Sequence, residues 1–124
     1  FAFVKTLPAA DAALLDAEAA GLAELEAADA VRVPRVLGRG VAASRAWLAL
    51  AWLDLRPPTA ASDARLGERL AALHRVRAER HGWHRDNFVG RTPQANAPHA
   101  DWVEFLRSRR LGPQLALARA NGHA

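Results

Sequence analysis

Several residue types are missing from this 124-residue chain: it has no cysteine, methionine, tyrosine or isoleucine, and only one of its 17 basic residues is a lysine. Without cysteine there can be no disulfide framework, thiol nucleophile or cysteine-ligated zinc, which excludes a disulfide-stapled scaffold and fits a reducing cytoplasm. The longest strongly apolar run, residues 46–53, is far shorter than the roughly 20 residues that span a bilayer. The N-terminus also lacks a signal-peptide pattern. We therefore expect a cytoplasmic protein without a membrane partner.

The most abundant residue is alanine, which thins the potential core. Hydrophobic residues make up 51% of the chain, but 30 of them are alanine, and the large apolar side chains are 17 Leu, 8 Val, 4 Phe and 4 Trp. These are enough for one modest core and too few for two. A translated protein begins with methionine, whereas this sequence begins at Phe1 inside a predicted strand. We therefore expect a piece of a longer protein.

Charge is divided unevenly along the chain. The formal net charge is +4, but residues 1–30 hold one lysine against six acids, and residues 31–124 hold 16 arginines against seven acids. A basic C-terminal part suits anionic ligands such as nucleotide phosphates or nucleic acid. The preference for arginine beside so much alanine is also typical of a GC-rich genome, so charge alone identifies no ligand.

The first half of the chain is predicted to form a small sheet with one helix. Residues 1–6 alternate like a strand that places Lys5 on the same face as two phenylalanines. The segment from Pro8 to about residue 28 is rich in Ala, Leu and Glu, the best helix formers. We predict two more strands, at residues 31–37 and 46–53, with a turn at Gly38 and Gly40 between them. The second of these strands is predicted to be covered on both faces.

The second half is predicted to be mainly helical. A stiff, Pro-containing connector at residues 54–61 separates it from the first half. We therefore predict a partial N-terminal lobe at residues 1–53 and the start of a helical lobe at residues 62–124. Within the helical part we predict a helix from an N-cap at Ser62 to about Arg80, a loop over residues 81–100, a helix after a cap at Asp101, a break at Gly112-Pro113, and a last helix to about Ala120.

Glu18 gives this order of elements a chemical meaning. It lies three residues after Leu15 and four before Leu22, so it falls on the leucine stripe of the predicted helix. A carboxylate buried on such a stripe needs a cation partner, because an unpaired buried charge is costly. Lys5, also on an apolar face, is the nearest basic residue in sequence. The alternative is that Glu18 lies at the edge of a loose alanine-rich helix and faces water.

Motifs along nearly the whole chain follow one known pattern. They include Phe3-Val4-Lys5, Trp52-Leu53-Asp54-Leu55 and, most specifically, Gly82-Trp83-His84-Arg85-Asp86-Asn87-Phe88-Val89-Gly90 followed by Thr92-Pro93-Gln94. With these motifs the chain resembles the fructosamine kinase family, or ketosamine 3-kinases, which has a two-lobed protein-kinase-like fold. The resemblance implies an α+β fold class, with a partial antiparallel N-lobe sheet and one helix, a hinge, and the start of a helical C-lobe.

The resemblance implies an ATP-dependent kinase that phosphorylates fructosamines or other ketosamines, the sugar–amine adducts removed in protein deglycation, with ATP and Mg²⁺ as cofactors. Lys5 would contact the ATP phosphates, and Glu18 would hold Lys5. Ala51, Trp52 and Leu53 would form the hinge, whose backbone groups bind the adenine edge. Ala51 departs from the family pattern, since an acidic residue is common there; backbone recognition should survive that change.

The resemblance also implies that parts of the kinase machinery lie outside these 124 residues. No glycine-rich phosphate loop precedes Lys5, and no His-Gly-Asp catalytic loop or metal-binding aspartate follows Asn121. Phosphoryl transfer depends on positioning and on metal and charge stabilisation. We therefore expect no metal ligands within this chain, and we expect the piece to be inactive alone.

His84-Arg85-Asp86 spells the start of a protein-kinase catalytic loop, but the spacing does not fit. The metal-binding asparagine should stand five residues after the aspartate, where this chain has Arg91. The resemblance instead places Asp86 in a connecting segment near the substrate side, with Trp83 and Asn87 as further substrate-side candidates. A structural Asx-type turn at Asp86 and Asn87 is the other interpretation.

Three other functions compete with this interpretation. His81, His84 and Asp86 are loosely spaced for zinc. A choline or aminoglycoside phosphotransferase would share the lysine–glutamate frame. The predicted helix after Ser62 could bind nucleic acid through phosphate contacts from Arg65, Arg69, Arg75, Arg77 and Arg80, although acidic residues interrupt that face and no base-reading motif is evident. We therefore expect ATP and a ketosamine as partners, and no nucleic acid.

Overall fold

A computed structural model describes residues 1–123, and within them the α+β fold class predicted from sequence is confirmed. The chain divides into two compact units, residues 1–77 and residues 78 onward. The first unit contains β1 (Ala2–Pro8), α1 (Ala12–Ala27), β2 (Val36–Ala42), β3 (Arg45–Ala51) and α2 (Ala60–Leu73). The second contains β4 (Asn87–Val89), β5 (Thr92–Gln94), α3 (Trp102–Leu106) and α4 (Gly112–Ala120). The lobe boundaries predicted from sequence concern the longer fold and stay a prediction.

The first unit is an antiparallel sheet in the order β1-β3-β2, with α1 packed on one face. The central strand β3 supplies most of the core because it is covered by strands on both edges and by the helix above. Alternation turns Ala46, Leu48 and Leu50 toward α1, where they pack with Leu15 and Ala19. Leu48 is fully buried at the centre of this cluster. The other face of β3 is only half-buried, so the predicted cover on both faces was wrong.

Helix α1 forms where the alanine-rich sequence predicts it, with shifted ends. The first strand continues through Pro8, and a short 3₁₀ turn precedes the helix. The helix ends at Ala27, and the next turn contains Asp29, whose φ of 48° lies in the left-handed region. A non-glycine residue rarely extends a helix in that conformation, so the chain leaves the helix there.

The predicted position of β2 was wrong, because the strand covers Gly38 and Gly40 instead of turning at them. Both glycines lie against the indole of Trp47 on β3, and a Cβ atom at Gly40 would be 3.3 Å from that ring. The two glycines therefore let the indole lie close to the β2 backbone, and a side chain at Gly40 would have to shift the ring by a few tenths of an ångström. The actual turn follows the strand, where Ala43 takes a φ of 50°.

Helix α2 begins three residues earlier than expected for an N-cap at Ser62. The cap is Thr59, whose hydroxyl accepts from the Ser62 N–H, while the Ser62 hydroxyl accepts from the Thr59 N–H. This reciprocal capping box satisfies two N–H groups at the helix start. The helix ends at Leu73, before the predicted end at Arg80, and after His74 the N–H groups of Arg75 and Val76 bond three residues back instead of four.

In the second unit, the predicted loop over residues 81–100 contains a β-hairpin. Strands β4 and β5 pair antiparallel, and His81 and His99 bridge the ends of the segment. The cap at Asp101 is confirmed, since its carboxylate accepts from the Glu104 N–H at 2.6 Å. No helix described within residues 1–123 is long and apolar enough to cross a membrane.

The predicted helix break at Gly112-Pro113 was wrong, because a π-helical turn over residues 107–111 links α3 directly to α4. The Gly112 N–H bonds to the carbonyl of Arg107, five residues back. Pro113 has no N–H to lose at the start of α4, so the widened turn lets the helix continue.

Candidate functional site

Lys5 and Glu18 form the contact that their positions in the sequence predict. β1 turns Lys5 toward α1, opposite the buried Leu48 on β3, and α1 brings Glu18 to the same edge of the core. The Lys5 Nζ donates to the Glu18 Oε2 at 2.6 Å. The two side chains are 41% and 33% exposed, so the argument that Glu18 needs a partner because it is buried was too strong. The pair lies at the border between core and solvent.

This position leaves part of the lysine ammonium available. An ammonium has three N–H donors, and among residues 1–123 only Glu18 accepts from Lys5. A half-exposed ion pair contributes at most about 1 kcal/mol to stability. The pair therefore matters less for stability than for holding the ammonium in one place, with donors left for an anionic ligand.

A cavity of about 430 Å³ lies on the same face of the sheet as this pair. Phe3, two residues before Lys5 on β1, lines it together with Leu50 of β3. The chain that leaves β3 forms the rest of its wall, and the remaining lining residues are Pro34, Ala51, Trp52, Leu53, Asp54 and Leu55. All three residues predicted as a hinge thus line one mainly apolar cavity near the lysine strand.

The backbone of this hinge segment is partly committed to the sheet. The Ala51 N–H donates to the carbonyl of Arg35 at 2.8 Å, and the Trp52 N–H makes a long 3.5 Å contact with the carbonyl of Phe1. Within the described part of the chain, the structure gives the Leu53 N–H no acceptor. Leu53 therefore offers the freest donor toward a ligand in the cavity.

The substrate-side candidates lie in the second unit, where a buried asparagine organises two of them. Asn96 is 1% exposed, and its Nδ2 donates to the Asn87 Oδ1 at 2.8 Å and to the Arg85 carbonyl at 3.1 Å. The Asp86 Oδ1 accepts from the Asn96 N–H at 2.7 Å. These bonds favour the structural interpretation of Asp86 and Asn87. Trp83 joins this network through its backbone, since its N–H donates to the Asn96 carbonyl at 2.9 Å, while its ring packs edge-on against the His84 ring.

Arg110 completes the network from the last helical segment. Its guanidinium donates to the Asn96 Oδ1 at 2.5 Å and to the Ala95 carbonyl at 3.0 Å, and it lies 4.4 Å from the centre of the Phe105 ring. Burial lowers the pKa of Arg110 from its usual value, but an arginine this basic stays charged. Asn96 and Arg110 belong to the motifs that resemble the fructosamine kinase family, but the sequence predicted no role for either, because nothing local marks a polar residue as the centre of a buried network.

The structure does not group His81, His84 and Asp86 as zinc ligands. The His81 ring contacts Trp102 and the His84 ring contacts Trp83. Among residues 1–123, no three His, Asp or Glu side chains are grouped so that they could hold a metal ion.

The fold of this chain matches a defined class of solved structures. The crystal structure of a proposed fructosamine-3-kinase from Haemophilus somnus 129PT has a TM-score of 0.89 and 28% identity, over 98% of this chain and 41% of that one. A second one, from Thermobifida fusca YX-ER1, has a TM-score of 0.83 and 39% identity, over 98% and 42%. The fold is that of the N-terminal two-fifths of these proteins.

Sequence relatives agree with the structural ones. A protein named probable ketoamine kinase from Synechocystis is 41% identical over 118 residues, which is 94% of this chain and 40% of the relative. The chloroplastic protein-ribulosamine 3-kinase of Arabidopsis thaliana is 33% identical over 120 residues, or 94% and 36%. The sequence profile of the fructosamine kinase family matches residues 1–124. The chain therefore belongs to the fructosamine kinase family, as its motifs predict, and spans about two-fifths of the length of these relatives.

Proposed function

We propose that the full-length protein carrying this chain is an ATP-dependent kinase that phosphorylates ketosamines. Membership of the fructosamine kinase family supports the reaction class. The single observation that carries the proposal is the 2.6 Å pair between Lys5 and Glu18, on the same sheet face as the apolar cavity. A cationic anchor beside an apolar cavity suits a ligand that has a flat apolar ring and a phosphate chain.

The residues present fit ATP. A cavity of about 430 Å³ lies within the range of about 300–1,000 Å³ that is usual for small-molecule sites. The adenine ring would lie between Phe3 and the hinge segment, with its edge on the N–H of Leu53. The ammonium of Lys5 would reach the phosphates, and Glu18 would keep that ammonium in place. Because ammonium binds phosphate as a compact point charge, Lys5 can serve Glu18 and an anion together.

Phosphoryl transfer needs more than this chain supplies. Mg²⁺ neutralises the charge that develops on the transferred group when it is bound, and the described residues offer no ligand cluster for it. Lys5 would orient the donor, but within residues 1–123 we assign no general base, since the Asp86 Oδ1 already accepts from the Asn96 N–H. We therefore expect the 124-residue piece alone to show no ketosamine phosphorylation.

The substrate class follows from the relatives and from the motif block around residues 82–94. Relatives of this chain are named ketoamine and ribulosamine kinases. Trp83, Asp86 and Asn87 stay predicted substrate-side residues. Of these, Asp86 and Asn87 are the weaker candidates, because their Oδ1 atoms already accept hydrogen bonds from Gln94 and Asn96.

A substrate screen tests the proposal. The full-length protein would be incubated with ATP and Mg²⁺ and with fructosamines, ribulosamines, choline or an aminoglycoside, and phosphorylated products would be measured by mass spectrometry. We expect phosphorylation of a fructosamine or ribulosamine, and no phosphorylation of choline or the aminoglycoside. Transfer to choline or an aminoglycoside without transfer to ketosamines would refute the proposed substrate class, and no transfer to any acceptor would refute the kinase assignment.

A further inference from the structure

A second ion pair joins the sheet to α1 on the side away from Lys5. The Arg39 Nε on β2 lies 2.8 Å from the Asp16 Oδ1 on α1, with both side chains nearly half-exposed. Arg39 is opposite Leu48 in the sheet register, and so is Lys5. One row across the sheet therefore reads Lys5, Leu48, Arg39, with a cation on each outer strand and the most buried core residue between them.

The two carboxylates are arranged to match this row. Asp16 and Glu18 are two residues apart, which places them about 200° apart around the helix axis. Between them, Leu15 and Ala19 point into the core. The two carboxylates therefore flank the buried face of α1, one above β2 and the other above β1. A rotation of the helix about its axis would draw at least one carboxylate away from its cation.

Hydrophobic packing specifies this rotation only weakly. Apolar residues occur on nearly all sides of α1, and most of them are alanines. A helix that is apolar all round buries similar area at different rotations, and alanine side chains form shallow ridges that resist rotation little. Leu15, Ala19 and Leu22 supply the apolar contacts that favour the observed rotation, and the directional contacts of Asp16 and Glu18 add to them on either side.

We propose that Arg39 and Asp16 are positioning residues that fix the rotation of α1, and that this rotation keeps Glu18 on Lys5. The inference rests on the proposed function, because it assigns the pair an effect on ATP binding. Arg39 acts through Glu18 and Lys5, from the other side of the helix. Loss of the pair frees α1 to rotate, Glu18 leaves Lys5, and the ammonium loses its fixed place beside the cavity.

The test uses the full-length protein with the variant Arg39→Gln and a matched control, Arg45→Gln. Arg45 also links two strands of this sheet, through a 2.6 Å bond to the Thr6 hydroxyl, but on the face away from α1. A half-exposed pair contributes at most about 1 kcal/mol, which corresponds to about a fivefold change. We therefore expect R39Q to raise the KM for ATP about two- to fivefold with little change in the KM for the ketosamine, and R45Q to leave both unchanged.

Two further measurements separate positioning from general stability. In a Glu18→Gln background, R39Q should raise the KM for ATP no further, because its effect passes through Glu18; an additive effect would overturn the inference. The charge swap Asp16→Arg with Arg39→Asp should restore the wild-type KM, and failure of this rescue counts against it.

A crystal structure of R39Q gives a readout that does not depend on ATP. The Lys5 Nζ to Glu18 Oε2 distance should lengthen beyond hydrogen-bond range, and an unchanged distance would refute the positioning role. If the wild-type protein fails to bind ATP, the proposed function is wrong, and this distance alone then decides the inference.

Discussion

Replacing Lys5 by arginine tests the proposed phosphate anchor while keeping its charge. The 2.6 Å contact holds the Lys5 ammonium directly against the Glu18 carboxylate. A guanidinium is planar and longer than an ammonium, so it can keep its bond to Glu18 only by displacing its donors from the anion position. The expected loss is one charge-assisted hydrogen bond, about 1.5–3 kcal/mol. This corresponds to a decrease of roughly tenfold to a hundredfold in kcat/KM for ATP.

The same geometry predicts that K5R folds normally. Glu18 is about one-third exposed, so a distorted pair costs at most about 1 kcal/mol of stability. The assay is steady-state kinetics of the full-length protein with ATP varied, together with its thermal midpoint. Arg45→Lys, a swap in the opposite direction on the other sheet face, is the control and should leave kinetics unchanged. Wild-type ATP affinity and turnover in K5R would refute the anchor role.

The remaining predictions concern stability of the full-length protein, measured by chemical denaturation. Leu48→Ala empties the most buried position of the first unit, and we expect a loss of about 2–5 kcal/mol in the free energy of unfolding. Leu37→Ala, at a half-exposed position, should cost much less. Asn96→Ala removes the side-chain hydrogen bonds of Asn96 to the Arg85 carbonyl, the Asn87 Oδ1 and the Arg110 guanidinium, for an expected loss of about 2–3 kcal/mol in the free energy of unfolding. Asn121→Ala, at an exposed helix end, should change the free energy of unfolding by no more than about 0.5 kcal/mol.

Equal losses for Leu48→Ala and Leu37→Ala would contradict the assigned core of the sheet. A loss below about 0.5 kcal/mol for Asn96→Ala, the usual range for surface changes, would show that the asparagine network does not hold the hairpin. Both outcomes are measurable without knowledge of the substrate.

Features decided by near neighbours in sequence were predictable. Alternation in β1 shows which face carries Lys5, and the run of Ala, Leu and Glu specifies α1. The cap at Asp101 follows from residues three apart. These signals are local because strand alternation, helix propensity and capping depend on residues that are close together in the sequence.

The position of β2, the cap of α2 and the hairpin were less predictable. Gly38 and Gly40 look like turn residues until Trp47 of the neighbouring strand is placed over them. Thr59 and Ser62 are both acceptable caps by sequence, and the geometry of the connector selects Thr59. Strand pairing and burial depend on residues far away in the chain, and no local pattern reports those contacts.

For the candidate site, the sequence by itself placed Lys5 on an apolar strand face and Glu18 on a leucine stripe, which predicts their contact but leaves open a Glu18 that faces water. Only the tertiary structure decided that the pair is half-exposed and that the hinge segment lines a cavity on the same face. It also placed Arg39 opposite Leu48, in the same row as Lys5. That row exists only once three strands are paired in register, since residues 5, 39 and 48 have no sequence spacing in common.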